Sequence, residues 1–242
     1  MITMIYAYYE NPIMLQRHLE IWKTYPDEVK RGINAILVDD GSPVPLDIEV
    51  VKRAEIGFKV SVFRTLVDVP WNQDAARNIG AKAASKGYLL LTDMDHAVPP
   101  DLIARLVKME QAKKIGLKMY YTFGRVTAPH MKDYKPHPNS YLMSRYLYWK
   151  VGGYDEQWAG YYGTDGIFRR NLKRTARGHR HLQGFDLIRY PRHYVLDAGC
   201  ERYPRKEGRT VKASNKIKNE SRIKFQSKDK PTVFRFPYEQ VL

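Results

Sequence analysis

The sequence predicts an α/β fold built on a mostly parallel central sheet. In the first half of the chain, short runs rich in Ile, Val, Leu and Tyr alternate with amphipathic stretches of helical periodicity. Strands that alternate with helices of about 10 to 15 residues form crossover units, in which consecutive strands lie parallel. At 242 residues, the chain has the length of one large domain with a buried core.

The individual elements follow from the spacing of apolar residues. Strands are predicted at 1–9, 33–38, 58–67 and 88–92, and helices at 12–22, 72–84 and 100–111. Beyond residue 115 the rhythm weakens, and it predicts strands at 118–123 and 140–144 and helices at 145–151, 165–174 and 211–225. Residues 127–139 contain three prolines and no apolar rhythm, which predicts a loop.

The net charge of +15 is concentrated near the C-terminus. Residues 1–168 carry 21 Lys and Arg against 19 Asp and Glu, a balance of +2, whereas residues 169–230 carry 19 against 6, a balance of +13. We therefore divide the chain into a domain at 1–198, with halves at 1–115 and 116–198, and a basic C-terminal extension at 199–242. Such a block is typical of a solvated face, a membrane-surface patch or a polyanion-binding surface.

Composition also limits the compartment and the metal chemistry. No run approaches the roughly 20 apolar residues of a membrane span, and the first residues lack a signal-peptide pattern, so we expect a cytoplasmic protein, in the host cell if it is viral. Cys200 is the sole cysteine, which excludes an internal disulfide and a thiolate zinc cluster. A bound metal would need oxygen or imidazole ligands.

Two acidic clusters directly follow apolar strands: Asp39 with Asp40, and Asp93 with Asp95. The carboxyl ends of parallel strands share one edge of the sheet, where ligands bind. Asp93 and Asp95 are two positions apart and can point to the same side, with Met94 facing the other way. Two carboxylates suit Mg²⁺ or Mn²⁺, which assist the departure of a nucleoside diphosphate. By itself the triplet also fits a solvated turn, with Asp95 capping the next helix.

Three segments together resemble the donor half of family 2 glycosyltransferases, which have the GT-A fold: 37–43 (LVDDGSP), 76–81 (ARNIGA) and 92–95 (TDMD). The resemblance implies an enzyme that takes a sugar from a nucleotide-diphosphate donor, foremost a UDP-sugar. It implies metal ligation of Mn²⁺ or Mg²⁺ by Asp93 and Asp95. The implied nucleotide contacts are Tyr8, Asp39, Asp40 and Arg77. Without the resemblance, Arg77 would be read as a cation on a helix surface.

Two further segments, 151–156 (VGGYDE) and 163–168 (GTDGIF), are similar to the acceptor half of galactosyltransferase-like members. The resemblance implies that Asp165 is the catalytic base and that the anomeric centre is inverted. A carboxylate at a helix start can accept the proton of an attacking hydroxyl, although Asp165 also suits a helix N-cap. Thr164 departs from the pattern, because the family's usual residue there is a Glu that helps to grip the acceptor.

The remaining site residues are less specific. Relatives often complete the metal shell with a histidine; of His179, His181 and His193 we favour His193, because it follows the apolar stretch 187–190 and can reach the sheet edge. Candidate acceptor contacts flank the motifs, although aromatic residues also commonly fill cores. They are Trp158, Tyr161, Tyr162 and Thr164.

The acceptor is inferred from charge. No Gln-x-x-Arg-Trp segment of processive synthases occurs, so we expect transfer of one sugar at a time. Basic residues interspersed with tyrosines in 169–230 are typical of nucleic-acid binding, and we hypothesise an acceptor DNA with a hydroxymethylated pyrimidine, as for some bacteriophage transferases. Open alternatives are a polysaccharide, lipopolysaccharide or protein acceptor, a nucleotidyltransferase, and a non-catalytic nucleic-acid-binding protein.

Overall fold

The structure of the protein is a computed structural model that describes residues 1–161, 163–198, 215–227 and 230–242. Tyr162, Cys200 and the first part of the basic extension lie outside the described residues. The strands are β1 (Ile2–Tyr8), β2 (Ile33–Asp39), β3 (Val60–Thr65), β4 (Tyr88–Asp93), β5 (His96–Ala97), β6 (Met119–Thr127), β7 (Lys132–Tyr134), β8 (Tyr141–Ser144), β9 (Gly178–Arg189) and β10 (Tyr238–Gln240). The α-helices are α1 (Pro12–Lys23), α2 (Asp27–Lys30), α3 (Ile48–Arg53), α4 (Gln73–Ala83), α5 (Pro100–Gln111), α6 (Arg145–Val151), α7 (Asp165–Thr175) and α8 (Asn215–Gln226).

The described strands form one mixed sheet in the order β10-β3-β2-β1-β4-β8-β6-β9-β5, with β7 paired to β6. The block β3-β2-β1-β4 is parallel, as the alternation of strands and helices predicts. Beyond β4 the pairing is antiparallel except between β6 and β9. The class α/β is thus confirmed, and parallel pairing dominates only in the N-terminal half.

Both faces of the sheet are buried, because successive side chains of a strand point to opposite faces. In β1, Met4 and Tyr6 contribute to one core cluster, together with Trp22 from α1 and Leu106 from α5. Ile5, between them, belongs to the cluster on the other face, which α4, α6 and α7 cover. This three-layer arrangement leaves the strand ends as the place where side chains from several elements can meet.

Two glycines allow close approaches that a larger residue would block. Gly80 places α4 against β1, and a Cβ at this position would lie 2.5 Å from Cγ2 of Ile5. Gly41 follows the first acidic cluster with φ +72°, and a Cβ there would lie 2.3 Å from the carbonyl oxygen of Val67. Both glycines therefore help to bring the loop after β2 and the start of α4 to the same edge.

The described C-terminal residues return to the domain. β10 pairs antiparallel with β3, in register from Tyr238 with Thr65 to Gln240 with Phe63. Ile217 of α8 packs against Trp158 and Ile167, beside α7. The division at residue 198 remains a prediction, but residues 230–242 extend the same sheet.

Most predicted elements are confirmed to within a few residues, and α5 and α6 have the predicted bounds. The predicted loop 127–139 is partly wrong, because β7 forms a hairpin with the end of β6. The strand β7 is fully exposed, so apolar periodicity does not reveal it. The predicted helix at 211–225 is confirmed in its described part, α8. Of the described helices, none combines the length and the apolar composition that spanning a membrane requires.

Candidate active site

The acidic clusters converge at the carboxyl ends of three neighbouring strands. β1 lies between β2 and β4, with Tyr8 paired to Asp39 and Ala7 paired to Asp93. Adjacent strands are about 4.8 Å apart, so the backbones of Asp39 and Asp93 stand roughly 10 Å apart across β1. The predicted meeting of the two clusters at one edge of the sheet is confirmed.

Asp93 is held by a buried cation, Arg77 of α4. The Arg77 guanidinium is fully buried and donates to the Asp93 carboxylate, to Oδ1 of Asn139 at 2.6 Å and to the hydroxyl of Tyr154 at 2.6 Å. Burial acts to raise the pKa of Asp93, but the Arg77 guanidinium together with His137 and His96 outweighs it and holds this pKa well below its usual range. Arg77 is predicted from the sequence to contact the nucleotide; because it is buried, it reaches the site through Asp93.

The segments 76–81 and 151–156 meet in a buried hydrogen-bond network. Asn78 donates to the carbonyl oxygen of Tyr154 at 2.8 Å and to Oε1 of Glu156 at 2.7 Å. Glu156 also accepts from the backbone N–H groups of Phe234 and Arg235, at 2.8 and 2.7 Å. The network fixes α4 against the segment after α6 and ties the C-terminal residues to both.

Asp95 is oriented by its neighbour in the sequence. His96 Nδ1 lies 2.6 Å from Asp95 Oδ1, and Arg125 donates to Nε2 of the same ring at 2.9 Å. Since Nε2 accepts, Nδ1 carries the proton, and burial lowers the pKa of His96 in keeping with a neutral ring. The side chains of Asp93 and Asp95 stay 32% and 28% exposed, while Met94 between them is buried in the core.

A histidine that sequence reasoning missed lies beside Asp93. His137 Nε2 is 3.3 Å from Asp93 Oδ2, and its Nδ1 is 2.8 Å from the hydroxyl of Ser140. Asn139, from the same proline-rich segment, accepts from Arg77. Nothing local in a segment with three prolines indicates this placement, because it depends on contacts with β4 and α4.

His193, the metal ligand favoured by the sequence, stays a prediction. It follows β9 in a segment held against α1, because Asp197 accepts from the N–H groups of Ile13 and Met14 at 2.6 and 3.1 Å. Within the described ranges, no three His, Cys, Asp or Glu side chains form a group able to hold a metal ion.

Asp39 and Tyr8 build the other side of the edge. Asp39 accepts from the N–H groups of Ser42 and Leu46 at 2.9 and 3.0 Å, so both carboxylate oxygens shape the loop after β2. Tyr8 is almost fully buried, and burial together with the nearby Asp39 raises the pKa of its hydroxyl. Asp40 is bonded through its N–H to the carbonyl oxygen of Tyr8 at 2.8 Å.

Asp165 opens α7 at the same edge. The residue at the N-cap position is Thr164, which makes no side-chain capping bond. Asp165 is half-buried, and no residue of the described chain donates a hydrogen bond to its carboxylate. Its charge contributes to raising the pKa values of Asp74 and Tyr141, which places it close to both. Asp165 is therefore not the N-cap residue of α7, a role that the sequence also allowed.

The model of the family described as glycosyl transferase family 2 matches residues 25–162, more than half of the chain. The chain belongs to glycosyl transferase family 2. The match covers Asp39, Arg77 and Asp93 and ends before Asp165. Among curated proteins, no sequence matches significantly.

Solved structures similar to this family 2 chain share its fold at low sequence identity. S. aureus TarS has a TM-score of 0.64 at 12% identity over 78% of this chain and 36% of TarS. GalNAc-T7 with UDP, GalNAc and Mn²⁺ has a TM-score of 0.64 at 15% identity over 93% of this chain and 48% of that chain. The mannosyltransferase PcManGT from Pyrobaculum calidifontis, with GDP-Man and Mn²⁺, has a TM-score of 0.56 at 15% identity over 85% and 58%. The chain thus spans only part of these proteins, and the likeness shows the GT-A fold.

Where family 2 members usually carry a Glu, this chain has Thr164, and another carboxylate lies next to it. Thr164 is buried, and its side chain lies close enough to Asp74, in the first turn of α4, to act on the pKa of that carboxyl. Burial, with the charge of Asp165, raises the pKa of Asp74 to about 7, although Thr164 and Arg77 oppose the shift. Burial and the neighbouring Asp39 likewise raise the pKa of Asp40 well above its usual range. Two carboxyl groups that readily hold protons thus line the edge.

The aromatic candidates for acceptor contact are less accessible than the sequence suggests. Trp158 is 5% exposed and packs against Ile167 of α7 and Ile217 of α8, with Tyr161 partly buried beside them. These side chains fill a small core under α8, because that helix covers the face on which a sugar would stack. Tyr162 lies outside the described residues.

Proposed function

We propose that this family 2 chain is a glycosyltransferase that moves one sugar from a nucleotide-diphosphate sugar to an acceptor hydroxyl. The observation that carries the proposal is the pair of partly exposed carboxylates that follows β4, and it is supported by Asp165, whose charge acts on Asp74 and Tyr141. The structural neighbours include TarS with UDP-GlcNAc, at a TM-score of 0.63 and 12% identity, and GalNAc-T7 with UDP and GalNAc. They favour a UDP-sugar as the donor.

Asp93 and Asp95 suit a divalent cation. Hard oxygen ligands from one or two carboxylates, completed by substrate phosphates, are what Mg²⁺ prefers, and a third protein ligand is not required. When bound, Mn²⁺ or Mg²⁺ neutralises the negative charge that grows on a departing diphosphate. Arg77 keeps Asp93 ionised, and His96 orients Asp95, so both carboxylates are prepared to bind a cation. The nucleotide would lie between this pair and the loop shaped by Asp39.

Asp165 is proposed as the general base. The acceptor oxygen attacks C1 of the sugar, its proton passes to the Asp165 carboxylate, and the bond from C1 to the diphosphate oxygen breaks. One displacement with one base inverts the anomeric centre. Because this carboxylate has no hydrogen-bond donor in the described residues, it is available to a hydroxyl.

For the acceptor, we propose DNA that carries a hydroxymethylated pyrimidine, of the kind modified by bacteriophage transferases. Cations of α7 and β9 follow Asp165 directly in the sequence and include Arg169, Arg170, Lys173 and Arg180. The pKa of Arg170 is lowered first by burial and then by the neighbouring charges of Arg174 and Arg222, so positive charges are close together here. A cationic surface beside the base favours a phosphodiester chain as the acceptor.

The test is a donor screen that measures release of nucleoside diphosphate with and without Mn²⁺. UDP-galactose is included because the VGGYDE segment is similar to galactosyltransferase-like members. Each donor is combined with hydroxymethylated DNA, unmodified DNA, lipopolysaccharide and polysaccharide. We expect Mn²⁺-dependent release that hydroxymethylated DNA accelerates and unmodified DNA does not. Release of pyrophosphate would indicate a nucleotidyltransferase, and donor binding without turnover would indicate a non-catalytic protein.

A further inference from the structure

A cavity of about 450 Å³ lies on the far side of β4 from the Asp39 loop. We name it the hairpin cavity, because residues 127–134 of the β6–β7 hairpin form one wall and Arg189, His193 and Tyr194 form the other. Its volume is within the range of about 300 to 1,000 Å³ that is usual for ligand sites. None of the sequence motifs points to it.

The hairpin cavity is cationic. Lys132 and Arg189 line it, and Asp133 is the single acidic residue among the lining side chains. Two guanidinium groups lie over the Tyr134 ring, that of Arg125 at 4.6 Å and that of Arg189 at 5.1 Å from the centroid. No carboxylate pairs with Arg189 or Lys132 in the part of the chain that the structure describes. Crowded cations without an acidic partner favour a bound anion.

The cavity is coupled to the metal carboxylates. Arg125 donates to Nε2 of His96 at 2.9 Å, and Nδ1 of the same ring bonds Asp95 at 2.6 Å. His96 is also the register partner of Arg189 in the β5–β9 ladder. In the sheet order, β4 separates β1 and β2 from β6 and β9. The hairpin cavity therefore lies across β4 from a nucleotide at the Asp39 side.

Exposed aromatic rings accompany the cations. Tyr134 and Tyr194 are 45% and 44% exposed, and both line the cavity. Tyr194 lies nearly parallel to Tyr190, with an angle of 11° between the rings and centroids 6.1 Å apart, so its orientation is fixed. A planar ring beside unpaired cations is the combination with which proteins bind single-stranded nucleic acids, where bases stack and phosphates are neutralised.

We propose that the hairpin cavity is the acceptor subsite and binds one nucleotide of an unpaired DNA strand, with the phosphate on Arg189 and Lys132 and the base on Tyr194. The proposal rests on the proposed function, since it names the site through which the acceptor of that reaction is held. It places acceptor binding on a preformed cavity that is connected to Asp95 through Arg125 and His96. A phosphate polymer without bases would use the cations and leave Tyr194 without effect.

The test measures binding of a labelled single-stranded oligonucleotide by fluorescence anisotropy over a series of salt concentrations. We compare Arg189→Gln/Lys132→Gln with the control Arg53→Gln/Lys114→Gln, which removes the same two charges from exposed positions on α3 and after α5. We expect the cavity variant to lose about tenfold or more in affinity and to reduce the salt slope by about 0.7, for the one phosphate that both cations contact on a single strand. Equal affinities of the cavity and control variants, or no binding by the unaltered protein, would overturn the proposal.

Two additional measurements separate the possible failures. Tyr194→Leu should weaken oligonucleotide binding about tenfold, and polyphosphate should compete more weakly than DNA of the same charge. If polyphosphate and DNA compete equally and Tyr194→Leu has no effect, the cavity binds a phosphate polymer, and the proposal of a bound nucleotide is wrong. UDP affinity is measured in every variant, and we expect it to stay unchanged. Absence of UDP binding by the unaltered protein would count against the proposed function, whatever the oligonucleotide does.

Discussion

Arg77 and Asp93 form a buried ion pair that joins the first half of α4 to the end of β4. The guanidinium has no exposed surface, whereas the carboxylate keeps one face toward solvent. The buried charge of Arg77 therefore positions a carboxylate. Arg77 also donates to Asn139 and Tyr154, which come from segments far away in the sequence. This arrangement makes Arg77 a stability residue as well as a support for the site.

Replacing Arg77 by Met should destabilise the protein by about 3 kcal/mol or more, since removal of the cation leaves the charge of Asp93 without its buried partner. Urea unfolding measures the loss. The double variant Arg77→Met/Asp93→Asn should be more stable than Arg77→Met, because the uncompensated charge is then also gone. If both variants unfold at the same urea concentration, the ion pair does not carry the stability assigned to it.

The carboxylates after β4 should control metal-dependent donor binding. We expect Asp95→Ala to abolish the Mn²⁺-dependent part of UDP affinity, measured by calorimetry with and without the metal. His137→Ala should weaken Mn²⁺ affinity about 10- to 100-fold, as loss of a residue that orients a ligand commonly does.

His193→Ala tests the sequence-based assignment of His193 as a metal ligand. Because His193 lines the hairpin cavity, we expect the Mn²⁺ affinity of this variant to equal that of the unaltered protein. A loss for His193→Ala alone would restore the original assignment.

Asp165→Asn should reduce sugar transfer by about a hundredfold to ten-thousandfold, the usual contribution of a general base, while UDP affinity stays the same. The matched control is Asp101→Asn, which removes an exposed carboxylate from the first turn of α5 and alters that helix end in a similar way. Transfer is measured under saturating donor and acceptor. A variant that keeps full activity would remove Asp165 from the chemistry.

The sequence revealed the parts of the site that lie in short segments. Strand ends, the acidic clusters and the start of α7 follow from local patterns, because they need only the chain's own periodicity. The partners that orient these groups are different: His137 belongs to a proline-rich segment 44 positions from Asp93, and Asp74 meets Thr164 across 90 positions. Such contacts depend on how α4, α7 and the sheet pack, and no spacing within either segment encodes them.

The exposure of aromatic residues was also beyond local reasoning. Trp158 and Tyr161 flank a motif and resemble stacking platforms, but α8 covers them. Among the exposed rings, Tyr134 and Tyr194 lie in segments without any motif. The path of the C-terminal residues determines which rings are covered. Glu156 holds these residues in place through its hydrogen bonds with Phe234 and Arg235.

Glu156 should therefore be essential for the C-terminal residues to stay on the sheet. Its carboxylate is fully buried and accepts from Asn78 and from the N–H groups of Phe234 and Arg235. Glu156→Ala should cost about 3 kcal/mol or more, because three donors to a charged group lose their acceptor. Hydrogen exchange should accelerate in residues 234–242, including the β10–β3 ladder. Glu239→Gln, at an exposed position, is the control. Unchanged hydrogen exchange in Glu156→Ala would show that Glu156 does not hold the C-terminal residues on the sheet.

Asp74 should give the protein a stability that falls as the pH rises. The pKa of its carboxyl is about 7 in the folded protein against 3.8 for an ordinary Asp, chiefly because it is buried. The folded state thus holds the proton more tightly than the unfolded state, so the contribution is complete below about pH 4 and is lost as the pH rises through 7. The slope contributed by this one group is at most about 1.4 kcal/mol per pH unit.

Asp74→Asn removes the titration and keeps the shape, so it should be more stable than the unaltered protein at pH 8 and no more stable at pH 4.5. Urea unfolding across this range measures the difference, and Asp27→Asn, at an exposed position, should track the unaltered protein. The same substitution separates two roles of the carboxyl beside Thr164. If Asp74 also grips the acceptor in place of the missing Glu, Asp74→Asn raises the KM for the acceptor and leaves UDP affinity unchanged; a purely structural carboxyl changes only the unfolding curve.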